Sequence, residues 1–575
     1  MAARPRSSPQ ALQPSFAQLF TPKIVSVFRE GYGRANLRAD AVAGLTVAIV
    51  ALPLSMAIAI ASGASPAQGL YTAIVGGFLV SLLGGSRFQV GGPAGAFIVL
   101  VAGTVQAHGM DGLLLATMLS GVILAAMGFL RLGSYIKFIP YPVVVGFTAG
   151  IATIIFASQL KELLGLSLAG PEPGPLLSKL PALWAGLPTA DPATVALAAT
   201  TVAGIAALKR LRPRWPGMLI AVAVATLAAG LLGLPVATIG SQFGGIPSRL
   251  PLPALPEVSL GKLQAVLPSA VAFALLGSIE SLLSAVVADG MTGRRHRSNC
   301  ELVAQGVANV GSALFGGICV TGTIARTATN VRAGAHGPVA GMLHSAFLLA
   351  FVLVAAPLAR FIPLASLAGV LTVVAWNMAE KHAFGLLLRA SRGDAVVLLA
   401  TFLLTIFRSV TEAIVVGLAL GSLLFIHRMS LAASIEAHAP PEGDDRPDTA
   451  NGGRTPYDED RGADPDVVVY RISGAFFFGS VASMGAMLDR IADGHRALVL
   501  DFSAVPFLDS TGANTVGGLA RRAARGGVTV YLTGTSREIR RDLFAHAVRP
   551  PLVRYAPTLE DAVRRAKANG ERPTS

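Results

Sequence analysis

The sequence has few charged residues and few cysteines. Charged side chains make up 14% of the 575 residues and hydrophobic ones 53%, whereas about 25% of the residues in soluble domains are charged. This balance excludes an ordinary soluble protein and indicates a chain that crosses a membrane. Cysteine occurs only as Cys300 and Cys319, which excludes a disulfide framework.

Several functional patterns are also missing. Residues 1–40 are polar and lack a short apolar core with a small-residue cleavage site, so no cleaved signal peptide is predicted. The sequence contains no Ser/His/Asp catalytic set, no cluster of metal ligands and no G-x-x-x-x-G-K-[ST] phosphate loop. We therefore expect neither an enzyme nor a bound cofactor.

Negative charge is scarce as well, because the formal net charge is +14. An excess of this size could indicate nucleic-acid binding, but the basic residues lie in clusters between apolar runs. That is the positive-inside pattern of membrane proteins, so no nucleic-acid partner is predicted. The clusters are Lys23 with Arg29, Arg34 and Arg38; Arg131 with Lys137; Lys209 with Arg210, Arg212 and Arg214; Arg294 with Arg295 and Arg297; Lys381 with Arg389 and Arg392; and His427 with Arg428.

The apolar runs predict fourteen transmembrane segments within residues 41–430, after a cytoplasmic arm at 1–40. An even number of runs separates each pair of basic clusters, so all clusters and both termini can face the cytoplasm. The membrane domain is expected to be all-α. The runs are 41–62, 69–84, 94–107, 112–130, 139–163, 192–208, 216–234, 267–289, 301–317, 322–333, 338–358, 363–378, 394–409 and 411–427.

The third and tenth runs are short and flanked by glycine, in GGPAGAF (91–97) and FGGICVTGT (315–323). They hold the same position in two sets of seven runs. Short, interrupted segments at matching positions indicate an inverted-repeat transporter with a binding site near the membrane midplane. The alternative is a pair of re-entrant loops without function.

Two half-helices that begin inside the membrane favour an anion site. The first N–H groups of each would be unpaired, and the positive ends of their dipoles would face each other. The tenth run also contains Arg326, in GTIARTATN (322–330). Its cation could attract an anion, or it could snorkel to the interface or pair with an acid such as Glu280.

Glu280 is a carboxylate near the middle of an apolar stretch, residues 273–290. An ionisable group inside a span is costly and indicates function. Burial favours the neutral form of a carboxyl group, so Glu280 could exchange a proton. It could equally hold Na⁺ together with Ser284 and tenth-run atoms at Gly322 and Thr323. Asp289, at the cytoplasmic end, is expected to form a surface ion pair.

After the membrane domain the composition changes. Residues 437–465 are rich in Pro, Gly and acids, which predicts a disordered linker. In the following part, 466–568, strand patterns alternate with helix patterns, which predicts a small α/β domain. Its predicted strands are 467–474, 497–505 and 528–534, and its predicted helices are 482–493, 510–525 and 536–546.

Almost the whole chain resembles the SulP anion transporters, the bacterial relatives of the SLC26 exchangers. The resemblance rests on AGLTVAIVALPLSMAIAIASGASPAQGLYTA (43–73), GGPAGAF (91–97), the long stretch at 275–317 and TGTIARTATNVRAGA (321–335). It implies a seven-plus-seven inverted repeat, a mobile core domain working against a gate domain, and a homodimer.

The resemblance also implies a substrate site between the third and tenth spans, lined by the first. Matched by motif, the residues are Leu54, Ile58, Ala94, Thr323, Ala325 and Arg326. In the family the acid at Glu280 is associated with cation coupling. The sodium-coupled bicarbonate members have aspartate there and threonine four residues later, whereas this chain has Glu280 and Ser284. That difference favours H⁺ over Na⁺.

The C-terminal part resembles a STAS domain, and its most specific motif is DSTG, residues 509–512. In stand-alone relatives the serine of this motif can be phosphorylated, which would make Ser510 a regulatory phosphosite. The other interpretation is that Asp509 and Ser510 cap the following helix.

From the sequence we expect a secondary active transporter of small anions in the bacterial inner membrane. Sulfate is the family's usual substrate, and bicarbonate or a dicarboxylate would also fit. Uptake would be coupled to H⁺, or to Na⁺, through Glu280. The alternatives are an uncoupled anion channel or exchanger, and a membrane-tethered anion sensor that signals through the STAS domain.

Overall fold

The computed structural model describes residues 15–134, 139–170, 173, 176–212, 215–431, 434–437, 467–477 and 496–568. The chain divides into two compact units at Gly421 and Ser422, and each is described by itself. The predicted linker after Ala437 and the predicted helix 482–493 lie outside the described residues.

The first unit is helical apart from two short strands. The helices are α1 (Phe16–Phe20), α2 (Lys23–Arg29), α3 (Arg34–Ala61), α4 (Pro66–Tyr71), α5 (Gly77–Leu83), α6 (Ile98–Phe129), α7 (Tyr141–Leu164), α8 (Leu176–Gly186), α9 (Pro192–Leu211), α10 (Gly217–Leu231), α11 (Ile239–Phe243), α12 (Leu260–Thr292), α13 (Ser298–Leu314), α14 (Ile324–Arg332), α15 (Val339–Ala359), α16 (Leu364–Met378), α17 (Lys381–Ala390), α18 (Arg392–Phe407) and α19 (Val410–Leu431). The strands are β1 (Gly91–Gly92) and β2 (Thr321–Gly322).

Each of the fourteen apolar runs corresponds to helix in the structure. A π-helical turn, Thr72–Gly76, joins α4 to α5 into one segment. The third and fourth runs are merged in α6, where Gly109 has φ +68° and interrupts the helical backbone between them. Within the described residues, eight segments are both long and apolar enough to cross a membrane. The short helices α1, α2, α8, α11 and α17 were not predicted, because they lack a long apolar run.

Contacts between helices divide the first unit into two groups. One group, which we call the core group, contains α3 to α6 and α12 to α15. The other, the gate group, contains α7, α9, α10, α16, α18 and α19. Glycines allow close approach inside each group: a Cβ at Gly121 would lie 2.5 Å from the Gly306 carbonyl oxygen, and one at Gly146 would lie 2.7 Å from that of Leu398. Small residues at helix contacts are typical of membrane helix packing.

The second unit contains a five-stranded sheet in the order β3-β4-β5-β6-β7. Strand β3 is antiparallel to β4, and the other pairs are parallel. Three strands and two helices agree with the prediction, while β3, β7 and the last helix were not predicted because they are short or weakly patterned. The elements are β3 (Ser434–Ala437), β4 (Val467–Ser473), β5 (Ala497–Ala504), α20 (Ser510–Arg525), β6 (Thr529–Thr533), α21 (Arg537–Ala545), β7 (Arg554–Tyr555) and α22 (Leu559–Ala568).

Residues of the DSTG motif begin helix α20. The Gly512 amide donates a hydrogen bond of 2.7 Å to Asp509 Oδ1, so Asp509 is the N-cap. Ser510 is exposed at the first helical position. The geometry favours the capping role for Asp509 and leaves the Ser510 hydroxyl accessible.

Asp509→Ala is expected to lower the stability of α20 by about 1 kcal/mol, because the helix loses its side-chain cap. Hydrogen exchange of the amides in residues 510–525 of the full chain measures this directly. Ser510→Ala is the matched control and should leave the exchange nearly unchanged. Equal effects of the two substitutions would contradict the assignment of the cap.

Candidate functional site

Strands β1 and β2 form a short pair that contacts α5, α12 and α13 of the core group, and we call this pair the strand crossing. They pair antiparallel, with Gly91 opposite Gly322 and Gly92 opposite Thr321. Each strand leads directly into a helical segment: a 3-10 turn at Gly95–Phe97 continues into α6, and α14 begins at Ile324. Two short helical segments therefore start from one strand pair, as the glycine-flanked runs predicted. The third span begins with the turn at Gly95, two residues after Pro93.

Both helical segments begin without a capping side chain. Among the described residues, neither Ala94 nor Thr323, the two N-cap residues, has a side chain that accepts a hydrogen bond from the first turn. Their backbone carbonyl oxygens accept from the Phe97 and Thr327 amides at 3.1 and 3.0 Å. The backbone amide of Thr323 itself donates to the Val90 carbonyl oxygen at 3.2 Å. The first N–H groups of the two segments are thus available to a ligand, and each segment presents its positive end there.

Arg326 lies behind the strand pair and is 1% exposed. Its Nη2 donates to Ser55 Oγ at 3.0 Å and to the Pro93 carbonyl oxygen at 3.2 Å, and its Nη1 donates to the Gly91 carbonyl oxygen at 3.4 Å. These acceptors are all neutral. The alternative that Arg326 snorkels to the interface does not fit a buried side chain. The alternative of pairing with Glu280 is met only in part: the two charges attract each other, but no ion pair joins them among the described residues.

Gly92 is required by the position of the Arg326 guanidinium. A Cβ at Gly92 would lie 1.7 Å from Nη1 and 2.8 Å from Cζ of Arg326. No side chain can occupy that place unless the guanidinium or the strand moves. The glycine therefore lets the cation approach the backbone of β1.

Gly92→Ala is expected to lower the thermal unfolding midpoint and to abolish anion binding, because the added methyl group displaces Arg326. Overpacking at a buried site typically costs about 1–3 kcal/mol. Gly103→Ala is the control, since Gly103 lies on α6 and a Cβ there meets no described atom within 4 Å. An unchanged midpoint and unchanged binding in Gly92→Ala would contradict the geometry.

Glu280 and Ser284 lie on the side of α12 that faces β2 and α14. The Oε2 atom of Glu280 is buried and has no hydrogen-bond partner in the described part of the chain, and the same is true of Thr323 Oγ1. Ser284 Oγ donates to Thr327 Oγ1 at 3.0 Å. Glu280 thus keeps one carboxylate oxygen available for a proton or a cation.

The predicted substrate residues differ in exposure. Leu54, Ile58 and Ala94 are buried in one apolar cluster, and Thr323 is buried as the N-cap of α14. Ala325 is exposed, as is its neighbour Ile324. The exposed side of α14, which carries Ile324 and Ala325, is therefore distinct from the buried side that holds Arg326.

The gate group is close to the start of the third span. A Cβ at Gly95 would lie 3.6 Å from Ile155 on α7 and 3.8 Å from Met378 on α16. The 3-10 turn that begins this span therefore lies where the core and gate groups meet, which is where a substrate site between moving groups is expected.

Sequence reasoning missed several residues that build the site. Ser55 binds the Arg326 guanidinium, and Thr327 joins α12 to the strand pair by accepting from Ser284 Oγ and from the Val90 amide at 3.3 Å. Both are small polar residues inside apolar runs, a pattern more often due to helix packing. Asp289, expected to form a surface ion pair, contacts His296 Nδ1 through its Oδ2 at 2.7 Å.

Glu301 is a second buried carboxylate that the sequence analysis passed over. Its Oε2 accepts from the Ser86 amide at 3.0 Å, and its Oε1 accepts from Gln89 Nε2 and Gln305 Nε2, each at 2.8 Å. The segment that leads into β1 is held to α13 by these bonds. The sequence signal for Glu301 was its place as a single acid at the start of the ninth apolar run.

The helices and the site define a class of protein: a polytopic membrane protein whose broken helices meet at a strand crossing, as in secondary transporters. The solved structure of the murine anion transporter Slc26a9 in its inward-facing state has the same fold, with a TM-score of 0.81 and 20% identity over 99% of this chain and 97% of the other.

Comparison with protein families supports the same class. The sulfate permease family matches residues 37–401, and the STAS domain matches residues 462–562. YvdB of Bacillus subtilis is 39% identical over 508 residues, which are 88% of this chain and 93% of the relative. The bicarbonate transporter BicA of Picosynechococcus is 31% identical over 523 residues, which are 88% and 90% of the two chains. The chain belongs to the sulfate permease (SulP/SLC26) family, and is a membrane anion transporter with a C-terminal STAS domain.

Proposed function

We propose that the protein is a secondary active transporter that moves sulfate or bicarbonate by alternating access and couples the movement to a cation at Glu280. The observation that carries the proposal is the pair of uncapped helical segments that start from the β1–β2 crossing. Their N–H groups provide hydrogen-bond donors for an oxyanion without requiring exposed cations. Sulfate is supported by the family, bicarbonate by BicA, and a dicarboxylate by the small side chain at Ala94.

The proposed substrate site consists of the residues around the two helical N-termini. Ala325 offers a backbone amide on the exposed side of α14, while Leu54 and Ile58 supply apolar surface from α3. Thr323 supplies a hydroxyl without a partner among described groups. Both Nη atoms of Arg326 donate to Ser55 and to the carbonyl oxygens of Gly91 and Pro93, while its buried Nε has no partner among the described groups. We propose that Arg326 acts on the anion mainly through its positive potential.

The proposed coupling site is Glu280 with Ser284, and H⁺ is the proposed ion. A proton would satisfy the buried Glu280 Oε2 without further ligands. Na⁺ would take several oxygen ligands, and the candidates are Glu280, Ser284, Thr323 and the backbone at Gly322. The Ser284 hydroxyl donates its hydrogen to Thr327 Oγ1. Its oxygen could therefore coordinate a cation through its lone pairs.

Further proposals follow from the family and the charge pattern. The protein would be a homodimer in the bacterial inner membrane, with lipid around it and both termini in the cytoplasm. Residues 1–40 would form the cytoplasmic arm, 41–430 the transport domain, 437–465 the linker and 466–568 the STAS domain. Ser510 would be available as a regulatory phosphosite.

A substrate panel in proteoliposomes tests this function. Proteoliposomes that contain the purified protein are loaded with unlabelled sulfate, bicarbonate, fumarate or chloride. Exchange with the same labelled anion outside is then measured for each. We expect exchange of sulfate or bicarbonate that saturates with concentration. Flux that does not saturate would favour the channel, and no exchange of any of the four anions would favour the sensor.

A further inference from the structure

A group of basic side chains outside the apolar spans is only partly neutralised. It comprises Lys23 on α2, Arg87 in the segment after α5, and Arg294 and Arg297 in the connection from α12 to α13. We call these four residues the basic cluster. None of them belongs to the strand crossing or to the coupling site.

Backbone hydrogen bonds bring the three parts of the basic cluster together. The Lys23 amide donates to the Gly84 carbonyl oxygen at 2.9 Å, and the Arg297 amide donates to that of Gly85 at 2.9 Å. Arg297 Nη1 also donates to the Thr21 carbonyl oxygen at 2.7 Å and to Ser26 Oγ at 3.2 Å. These hydrogen bonds therefore hold α2, the segment after α5 and the α12–α13 connection next to one another.

The acids near the basic cluster are already engaged. Glu30 pairs with Arg87, and the resulting hydrogen bond lowers the pKa of Glu30. Asp289 accepts from the His296 amide at 2.9 Å and contacts the His296 ring. Glu301 is fully buried and its oxygens accept from Ser86, Gln89 and Gln305.

Three of the four cations consequently have no carboxylate of their own. The acceptors of Arg297 are neutral oxygens. Within the described residues, the Lys23 ammonium and the Arg294 guanidinium have no hydrogen bond or ion pair. Burial, followed by repulsion from Arg297 and Arg87, lowers the pKa of Lys23. Asp289 and Glu30 attract Lys23, but each is already engaged, with His296 and Arg87 respectively. A half-buried cation beside two others is costly unless further negative charge is supplied there, as a bound anion would do.

The surroundings of the basic cluster are apolar and exposed. Phe28 on α2, the helix that carries Lys23, is exposed, and so is Phe16 on α1, which contacts α13. Exposed apolar side chains next to several cations are typical of the boundary between a membrane and water, where phosphate groups are the common anions.

We propose that Lys23, Arg294 and Arg297 form a binding site for a phosphate group at this boundary. Guanidinium groups bind phosphate through parallel hydrogen bonds, and the ammonium of Lys23 adds a point charge. The phosphate could belong to an anionic phospholipid or be free inorganic phosphate, which share this chemistry. Because Gly84 and Gly85 precede β1, an occupied site would hold the segment that enters the strand crossing.

The test uses full-length protein in two arms. In the first, protein in phosphatidylglycerol nanodiscs is released into detergent, and bound lipid is counted by native mass spectrometry, with phosphatidylcholine nanodiscs for comparison. In the second, delipidated protein is titrated with inorganic phosphate and the thermal unfolding midpoint is followed. Binding in the first arm alone identifies a lipid headgroup, and binding in the second identifies free phosphate; either result supports the site.

The variant Lys23→Gln with Arg294→Gln should weaken this binding about tenfold or more. Arg210→Gln, which removes an exposed charge at the end of α9, is the matched control and should bind like the original protein. Lys23→Arg should retain binding because it keeps the charge. An unfolding midpoint of the double variant without phosphate that equals that of the original protein shows that its loss of binding is not due to misfolding. No binding in either arm, or equal loss in the double variant and in Arg210→Gln, would overturn the proposal.

Discussion

Arg326→Gln is expected to weaken anion binding about 100-fold. Arg326 is buried beside the strand crossing, and its hydrogen bonds go to neutral acceptors. Glu280 attracts it without an ion-pair contact among the described residues, so the charge of Arg326 can still act on an anion. A unit charge about 6 Å from a bound anion contributes roughly 2–3 kcal/mol at an effective dielectric constant of about 20. That free energy corresponds to about two orders of magnitude in the dissociation constant.

The measurement is the dissociation constant for sulfate and bicarbonate in purified protein, obtained by calorimetry. Arg332→Gln removes the same charge from the exposed last turn of α14 and should leave the constant within about threefold, because water screens exposed charges. Arg326→Lys keeps the charge but loses the forked contact with Ser55 and Pro93. Its dissociation constant should lie between those of Arg332→Gln and Arg326→Gln. Unchanged affinity in a folded Arg326→Gln protein would remove Arg326 from the site.

The second large effect is expected for Glu280→Gln, which should abolish accumulation of the anion while leaving anion exchange intact. Glutamine has nearly the same shape but neither binds and releases a proton nor carries the charge that a cation needs. The Glu280 Oε2 atom has no partner among the described groups, so its neutralisation breaks no hydrogen bond at that oxygen. The expected loss is at least tenfold in the ratio of internal to external anion.

Glu257→Gln is the matched control for Glu280. Glu257 precedes α12 and forms an exposed ion pair with Lys262, and exposed pairs contribute little. Accumulation should therefore be unchanged in Glu257→Gln. Loss of both accumulation and exchange in Glu280→Gln would indicate a structural role, and full accumulation would remove Glu280 from coupling.

Much of the fold could be predicted because long apolar runs and glycine-flanked short runs carry strong signals. The fourteen runs, the two broken spans and the described part of the alternating C-terminal pattern correspond to elements of the structure. Short amphipathic helices such as α8 and α17 could not be predicted, since ten or eleven residues without a long apolar run resemble a loop.

The candidate site was predictable in its backbone but not in its side-chain contacts. The glycine-flanked runs predicted two half-helices that begin inside the membrane, but not that the residues before them pair as β1 and β2. The partner of Arg326 could not be predicted, because Ser55 lies 271 positions away in the sequence. Contacts over such a distance depend on how the helices pack, which no local pattern of residues specifies.

The most direct test of coupled anion transport is accumulation in proteoliposomes. Labelled sulfate or bicarbonate is supplied outside at the concentration present inside, and an inward H⁺ gradient or an inward Na⁺ gradient is then imposed. We predict that one of the two gradients drives internal anion above the external level, with H⁺ the expected driver, and that the gain disappears in Glu280→Gln. Anion that only equilibrates under both gradients would contradict the account.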